Sequence, residues 1–270
     1  MVSKPAPAVA GTAAFSKFMD VLQRVAEAEQ PPGVVDLARA CGYPRPTVYR
    51  IVSALLEHGM ITQRSEGGTY ELGPRLLSLA SRSWSRFDLR VALASELRAL
   101  RDATGETVHM AVPSEGAMIY VEKLESPGPL RMVSRVGGRL SLHSSAVGKA
   151  YLAALPEADC EAILARLSMP GFMPNTLTTR EAMRAELQRV REQGYAVDNE
   201  ENEAGIVCYG VALLNPDGQP VAGVSVSTLL FRQKPDPHAA YIAPLLRLRA
   251  EATRALYDVP APSGVVPRAS

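Results

Sequence analysis

The sequence predicts an α+β protein with two parts, a smaller helical one followed by a larger one that contains an antiparallel sheet. The chain of 270 residues is long enough for two ordinary domains, and its 47% of hydrophobic residues suffice for two buried cores. Helical spacing of apolar residues dominates up to residue 60. Beyond residue 105, strand-like segments have helical segments on both sides, which is typical of α+β domains.

Two helices are predicted before residue 43. Apolar residues recur at helical spacing from Phe15 to Val25, which predicts an amphipathic first helix. The segment VVDLARACG predicts a short second helix that ends at Gly42.

The third helix has an unusual start. The residue before a proline tends to avoid the α conformation, so we expect Arg45 to be extended and Pro46 to be the first helical residue. Gly59 supplies a left-handed stop after about His58. Where Ser, Asp or Asn would normally cap the free N–H groups, the chain has Arg45, and such a helix start favours an anion. The predicted buried stripe comprises Val48, Ile51, Val52 and Leu55.

A β-hairpin is predicted after the third helix, because MITQRSEGGTYELG has two short extended segments around a glycine-rich turn. Helix, helix, turn, helix and hairpin is the order of a winged helix-turn-helix, in which the second motif helix lies in the DNA major groove. The alternatives are a small helical packing module and a protein-interaction winged helix without DNA affinity. The predicted DNA-binding residues are Arg45, Pro46, Thr47, Tyr49 and Arg50 of the third helix and Arg64 of the wing.

Charge and rare residue types exclude several classes of protein. The net charge is only +1, so the chain is not a nonspecific polycation, and we expect it to bind DNA specifically as an oligomer. Its three cysteines and four histidines show neither a disulfide framework nor metal-ligand spacing, so we predict no metal site and no cofactor. Apolar runs are far shorter than the roughly 20 residues of a membrane span. We expect a cytoplasmic protein with no membrane association and a disordered segment 1–12.

The larger part opens with a long helical pattern from Pro74 that divides near Asp88 into a connecting helix and the first helix of a new domain. Strands and helices then alternate in groups up to a closing helix around Leu248. Strands are predicted in ETVHMAVP, AMIYVEKLE, YAVDNEE, IVCYGVALLN and PVAGVSVSTLL, and helices at about 146–155, 157–167 and 180–193.

Three motifs resemble the IclR family of bacterial transcriptional regulators, and together they cover nearly the whole chain. In chain order they are PRPTVYRIVSALLEHGMI, GRLSLHSSAVGKAYLAALP and GYAVDNEENEAGIVCYGVALLNPDGQPVAGVSVS. The resemblance implies a dimer or tetramer that binds a palindromic operator in double-stranded DNA. The implied organisation is a winged helix-turn-helix at 13–74, a linker helix at 75–88, a GAF-like effector-binding domain with an antiparallel sheet at 89–258, and a flexible tail at 259–270.

The resemblance also implies a site for a small carboxylate effector. A helix start at Ser145 offers unpaired N–H groups and a positive dipole end, which suits a carboxylate. Ser225 and Ser227 are alternate residues of a strand, so their hydroxyls share one face. The effector-binding residues that the resemblance implies are Ala146, Val147, Asp198, Ile206, Cys208, Ser225 and Ser227.

Other interpretations of these residues stay open. The two serines fit a solvated strand face, Asp198 fits a solvated acidic loop, and Lys149 fits an ion pair with that loop. Cys208 fits a buried small side chain, and in other function classes it fits the nucleophile of a small-molecule hydrolase or a redox sensor. The segment GVSVS lacks the second glycine of a G-x-S-x-G elbow, so we predict no catalytic residue and no enzyme. His109 and His143 are expected to be structural.

Overall fold

The computed structural model describes residues 12–64, 68–84 and 89–257. The chain divides between residues 88 and 89 into two compact units, which are described separately. The predicted flexible tail and all of the predicted disordered start except Thr12 lie outside the described residues, as does the end of the predicted linker helix. Within the described ranges, no helix is long and apolar enough to cross a lipid bilayer.

The N-terminal unit has the predicted order of elements. Its two strands pair antiparallel, with Ile61 opposite Leu72, and form the wing. The elements are α1 (Ala13–Glu27), α2 (Val34–Cys41), α3 (Arg45–Glu57), β1 (Ile61–Gln63), β2 (Tyr70–Leu72) and α4 (Pro74–Trp84).

The start of α3 differs from the prediction by one residue. Arg45 is the first helical residue and Pro46 the second, whereas the sequence predicted an extended Arg45. The carbonyl of Pro44 accepts hydrogen bonds from the N–H groups of Thr47 (2.9 Å) and Val48 (3.1 Å), which closes the first turn on Pro44. These bonds outweigh the preference of a pre-proline residue for extended backbone. Pro46 needs no N–H at this position, because the first N–H groups of a helix have no intrahelical acceptor.

The core of the N-terminal unit contains the predicted stripe of α3, whose four residues are all buried. In α1, Leu22 and Val25 are buried with them, but Phe15 and Met19 are 67% and 46% exposed. On α4, Leu77 and Leu79 are also exposed. This unit therefore exposes large apolar side chains on several of its helices.

The C-terminal unit is built around a six-stranded antiparallel sheet in the order β5-β4-β3-β8-β7-β6. The sequence predicted the five longer strands and missed the three-residue β5. The strands are β3 (Thr107–Ser114), β4 (Ala117–Leu124), β5 (Arg139–Ser141), β6 (Ala196–Asn199), β7 (Ile206–Leu214) and β8 (Pro220–Leu229). The helices are α5 (Leu89–Ala92), α6 (Ala94–Thr104), α7 (Ala146–Ala154), α8 (Glu157–Arg166), α9 (Arg180–Gln193) and α10 (Ala243–Tyr257).

Helices cover both faces of this sheet and create two cores. On one face, α5, α6 and α10 pack against residues such as Val224 and Val226 of β8. On the other face, α7 packs against the sheet, and α8 and α9 contribute to the same core. Successive residues of a strand point to opposite faces, so Ser225 and Ser227 lie on the α7 face. This is the predicted α+β architecture.

Candidate functional site

The first two turns of α3 bring the predicted DNA-binding residues of that helix together. Arg45, Pro46, Tyr49 and Arg50 are exposed, and Thr47 is half-buried at the edge of the surface. The helix has no side-chain cap and no acidic residue in its first turn. The positive end of the helix dipole, beside the exposed Arg45 and Arg50, therefore favours a negatively charged partner such as a phosphate.

Arg64, the predicted wing contact, directly follows β1 and is exposed. Its N–H donates to the carbonyl of Thr69 at 3.0 Å, so it lies where the two strands enter the connecting loop of the hairpin. Thr69 in turn forms an antiparallel bridge with Gly33, which ties the hairpin to the start of α2.

In the C-terminal unit, a cavity of about 470 Å³ opens on the α7 face of the sheet. Every residue that the sequence analysis assigned to the effector site contributes to its lining. These residues are Ala146, Val147, Asp198, Ile206, Cys208, Ser225 and Ser227. Ser225 and Ser227 are nearly fully buried, so the structure does not place them on a solvated strand face.

The N-terminus of α7 forms one wall of this cavity. The Ser145 hydroxyl caps the helix by accepting from the Gly148 N–H at 3.1 Å, and it donates to the carbonyl of Ser141. The N–H groups of Ala146 and Val147 precede the first possible intrahelical bond, so they are free to bind a ligand oxygen. A side chain at Gly210 of β7 would place its Cβ 2.7 Å from the carbonyl carbon of Ala146, so glycine permits the helix to lie directly on the sheet.

Asp198 is buried and already engaged by protein donors. Its Oδ1 accepts from the Glu201 N–H at 2.8 Å, and its Oδ2 accepts from Asn202 Nδ2 at 2.7 Å. Burial raises the pKa of this carboxyl, while the hydrogen bond from Asn202 acts in the opposite direction. Asn202 also exchanges two hydrogen bonds with Ser144, just before α7. Asp198 therefore fixes the turn that closes one end of the cavity.

Cys208 belongs to a hydrogen-bonded chain across the sheet. Its Sγ donates to Ser227 Oγ at 3.2 Å, and that oxygen lies 3.3 Å from His109 Nδ1. His109 Nε2 lies 2.8 Å from Ser134 Oγ. Burial, followed by the nearby Asp198, raises the pKa of the Cys208 thiol. A protonated, half-buried thiol is a poor nucleophile and a poor redox sensor.

His109 and Tyr120 line the cavity, although the sequence analysis left them out. Their rings stack with centroids 4.5 Å apart. Burial, with the charge of Lys123, lowers the pKa of His109 to about 3, so the imidazole is neutral at physiological pH. Strand alternation could have identified His109 as a lining residue: it pairs with Ser225 in the β3–β8 register and therefore lies on the same face of the sheet. That register was not readable from the sequence.

The outer wall of the cavity is a segment that we call the strap, residues 125–138, between β4 and β5. Lys123 Nζ donates to the carbonyls of Met132 and Ser134, both at 2.6 Å, and pairs with Glu125 at 2.8 Å. The bond from His109 to Ser134 is a further attachment. These contacts hold the strap over the sheet.

Lys149 of α7 does not line the cavity. Its fully buried ammonium pairs with Glu201 at 2.6 Å and Glu186 at 3.0 Å, as one of the open interpretations proposed. The second oxygen of Glu201 is buried and has no partner in the described part of the chain. Burial raises the pKa of Glu201, and Lys149 opposes that shift. In the same described ranges, no group of histidine, cysteine, aspartate and glutamate side chains is arranged to bind a metal ion.

Comparison with known proteins identifies both units. Residues 15–65 match the family domain described as the IclR helix-turn-helix domain, and residues 81–254 match the bacterial transcriptional regulator IclR C-terminal domain. The HTH-type transcriptional regulator XynR of Escherichia coli K12 is 35% identical over 199 residues, which cover 74% of this chain and 79% of XynR.

Two solved structures have the same fold. The crystal structure of Thermotoga maritima IclR is 31% identical with a TM-score of 0.74, and the match covers 90% of this chain and 98% of that one. An IclR homologue from Microbacterium hydrocarbonoxydans, crystallised in complex with 4-hydroxybenzoate, is 23% identical with a TM-score of 0.79 over 92% of this chain and all of its own. The chain is thus a DNA-binding transcriptional regulator, not an enzyme, and it belongs to the IclR family.

Proposed function

We propose that the cavity beside α7 binds a small carboxylate effector and that this binding changes the affinity of the protein for a palindromic operator. The observation that carries the proposal is the open N-terminus of α7. The N–H groups of Ala146 and Val147 lie in the wall of a cavity whose opposite wall carries the hydroxyls of Ser225 and Ser227. Such a helix end binds carboxylates through N–H groups and the helix dipole.

The size and lining of the cavity favour an effector larger than a two- or three-carbon acid. Its volume of about 470 Å³ lies in the range of ordinary ligand pockets. The His109–Tyr120 stack and Ile206 supply apolar surface, while the serines supply hydroxyls for orientation. The Microbacterium homologue binds 4-hydroxybenzoate, an acid of this size class with a ring and a hydroxyl.

On the DNA side, the proposed contacts are Arg45, Thr47, Tyr49 and Arg50 of α3 to bases or phosphates, with Pro46 at the same helix end. Arg64 contacts the DNA backbone from the wing. Dimers or tetramers would place two copies of α3 on the two half-sites of an operator. The exposed apolar residues of α1 and α4, such as Phe15 and Leu77, supply surface for that self-association.

The effector acts by binding one arrangement of the oligomer more tightly than another. It can shift operator affinity only by that difference, typically about 1–3 kcal/mol, which corresponds to a 5- to 150-fold change.

The first experiment is a thermal-shift screen of the full chain against glyoxylate, pyruvate, sugar acids and aromatic acids. Each stabilising acid is then tested for its effect on operator binding by fluorescence anisotropy. The double variant Ser225→Ala/Ser227→Ala should bind operator normally and lose most of the response to the acid. A normal response in this variant would show that the cavity is not the effector site.

The DNA contact is tested separately. Arg50→Ala should weaken specific operator binding at least tenfold and reduce its salt dependence, because one phosphate or base contact is lost. Arg247→Ala, an exposed arginine of α10, removes the same charge elsewhere and is the matched control. Equal operator affinity in wild type and Arg50→Ala would refute the assignment of α3 as the recognition helix.

A further inference from the structure

A second, smaller recess lies on the same sheet face as the effector cavity. Its volume is about 250 Å³, and Met132 of the strap lines both spaces. Thr107, which lines the recess, pairs in register with Ser227, which lines the cavity, so both face the same way. We call this space the outer recess, because it lies toward the Thr107 end of β3 and the Leu229 end of β8.

Two arginines border the outer recess. Arg232 pairs through Nη2 with the buried Glu106, and its buried Nε has no hydrogen-bond partner among the residues described. Arg131 donates to the carbonyl of Ser126 at 3.2 Å and lies 3.8 Å from Glu125. Glu125 is shared with Lys123, and the charge of Lys234 also acts on Glu106. Positive charge is therefore in excess of these two carboxylates at this end of the strap.

Neutral groups complete the lining. The hydroxyl-bearing residues Thr107 and Ser126 are both nearly fully buried. The apolar walls include Phe231 and Leu130, which are 77% and 51% exposed. A donor-rich, cationic end beside uncovered apolar walls suits a ligand with one acidic group and one apolar body.

We propose that the outer recess is a second ligand site, which binds a monocarboxylate of about benzoate size with its carboxylate on Arg131 and Arg232 and its ring against Phe231 and Leu130. A cavity of about 150 Å³ is known to hold a benzene molecule, so 250 Å³ accommodates a ring with a carboxylate. Charge-assisted bonds to guanidinium groups are about twice as strong as neutral ones, and they supply the orientation.

The strap couples this site to the effector cavity. Met132 contributes to both linings, and its carbonyl is held by Lys123. A ligand in the outer recess fixes Arg131 and Met132 and therefore one wall of the effector cavity. The coupling is reciprocal, so each ligand alters the affinity of the other by the same factor.

The test is equilibrium dialysis of radiolabelled benzoate against the full-length protein. Two molecules per chain are expected. Arg131→Gln should lower the affinity for one bound benzoate at least tenfold and leave the affinity for the other unchanged. Phe231→Ser should lower the affinity for the same benzoate without altering any ionic contact. Ser225→Ala/Ser227→Ala should lower the affinity only for the other bound benzoate. Arg247→Gln, which lines neither site, is the control and should leave the affinity at both sites unchanged.

The outcomes separate this inference from the proposed function. One molecule per chain that is lost in Ser225→Ala/Ser227→Ala and kept in Arg131→Gln overturns the second site and leaves the effector cavity standing. One molecule that is lost only in Arg131→Gln supports the second site and shows that benzoate is not a ligand of the effector cavity. If Arg131→Gln changes the sedimentation of the protein and not the stoichiometry, the outer recess is a contact between copies and the inference is overturned.

Discussion

Acid should destabilise the C-terminal unit through His109. Burial and the neighbouring Lys123 lower the pKa of this histidine to about 3, whereas an unfolded histidine has a pKa of about 6.5. The folded protein therefore binds fewer protons than the unfolded chain between these values. The contribution of neutral His109 to stability is fully present above pH 6.5 and is lost as the pH falls toward 3.

The magnitude follows from these two pKa values. Between pH 7.5 and pH 4.5, protonation of the unfolded chain lowers the free energy of unfolding by about 2.5 kcal/mol. This number depends little on the folded pKa, because pH 4.5 still lies above it. It is a large part of the 5–15 kcal/mol that typically stabilises a protein domain.

The assay is urea unfolding of the full chain, followed by far-ultraviolet circular dichroism at both pH values. His109→Gln keeps polar atoms near Ser134 and Ser227 but does not titrate, so its loss between pH 7.5 and 4.5 should be smaller by about 2.5 kcal/mol. Burial also lowers the pKa of His143, but that residue is present in both proteins and cancels in the comparison. His58→Gln, an exposed position in the other unit, serves as the control. Identical pH dependence in wild type and His109→Gln would refute the reasoning.

Three further predictions concern the surroundings of the cavity. Gly210→Ala should cost roughly 1–3 kcal/mol and weaken effector binding, since the new Cβ collides with α7, whereas Gly171→Ala meets only ordinary contacts and should be neutral in urea unfolding and dialysis. Lys149→Met should cost about 3–5 kcal/mol by leaving buried carboxylates unpaired, and adding Glu201→Gln should restore part of it; no rescue would count against the ion pair. Alkylation of Cys208 should be at least tenfold slower in the native protein than in urea, because the thiol is half-buried and its pKa is raised; equal rates measured by mass spectrometry would contradict this protection.

Most of the secondary structure was predictable because the spacing of apolar residues and the positions of glycines and prolines indicated the same element boundaries. The stripe of α3 and the left-handed glycines at positions 42 and 59 mark helix faces and ends in the sequence itself. The exact start of α3 was not predictable, because the hydrogen bonds to the Pro44 carbonyl decided it against the pre-proline preference. The strand β5 was missed because three residues are too few to show alternation.

The candidate site was predictable only in part. The family resemblance supplied seven lining residues, but it supplied neither His109 nor Tyr120. Those two reach the cavity through the β4-β3-β8 strand order, which places residues more than 100 positions apart side by side. The strap has no periodic pattern, and its place over the sheet depends on bonds from Lys123 to main-chain carbonyls. Neither the strand order nor bonds to main-chain carbonyls can be recognised from a local sequence pattern.

The way in which the strap is attached determines which parts of the cavity wall depend on particular side chains. Lys123 binds the carbonyls of Met132 and Ser134, and every amino acid supplies a carbonyl. These two bonds therefore place little constraint on the side chains of the strap, whereas glycine is required where α7 meets β7. The wall formed by α7 thus depends on a particular residue of β7, whereas the wall formed by the strap tolerates changes of side chain. Substitutions in this single loop can therefore change the shape of the outer wall while the start of α7 keeps its place against the sheet.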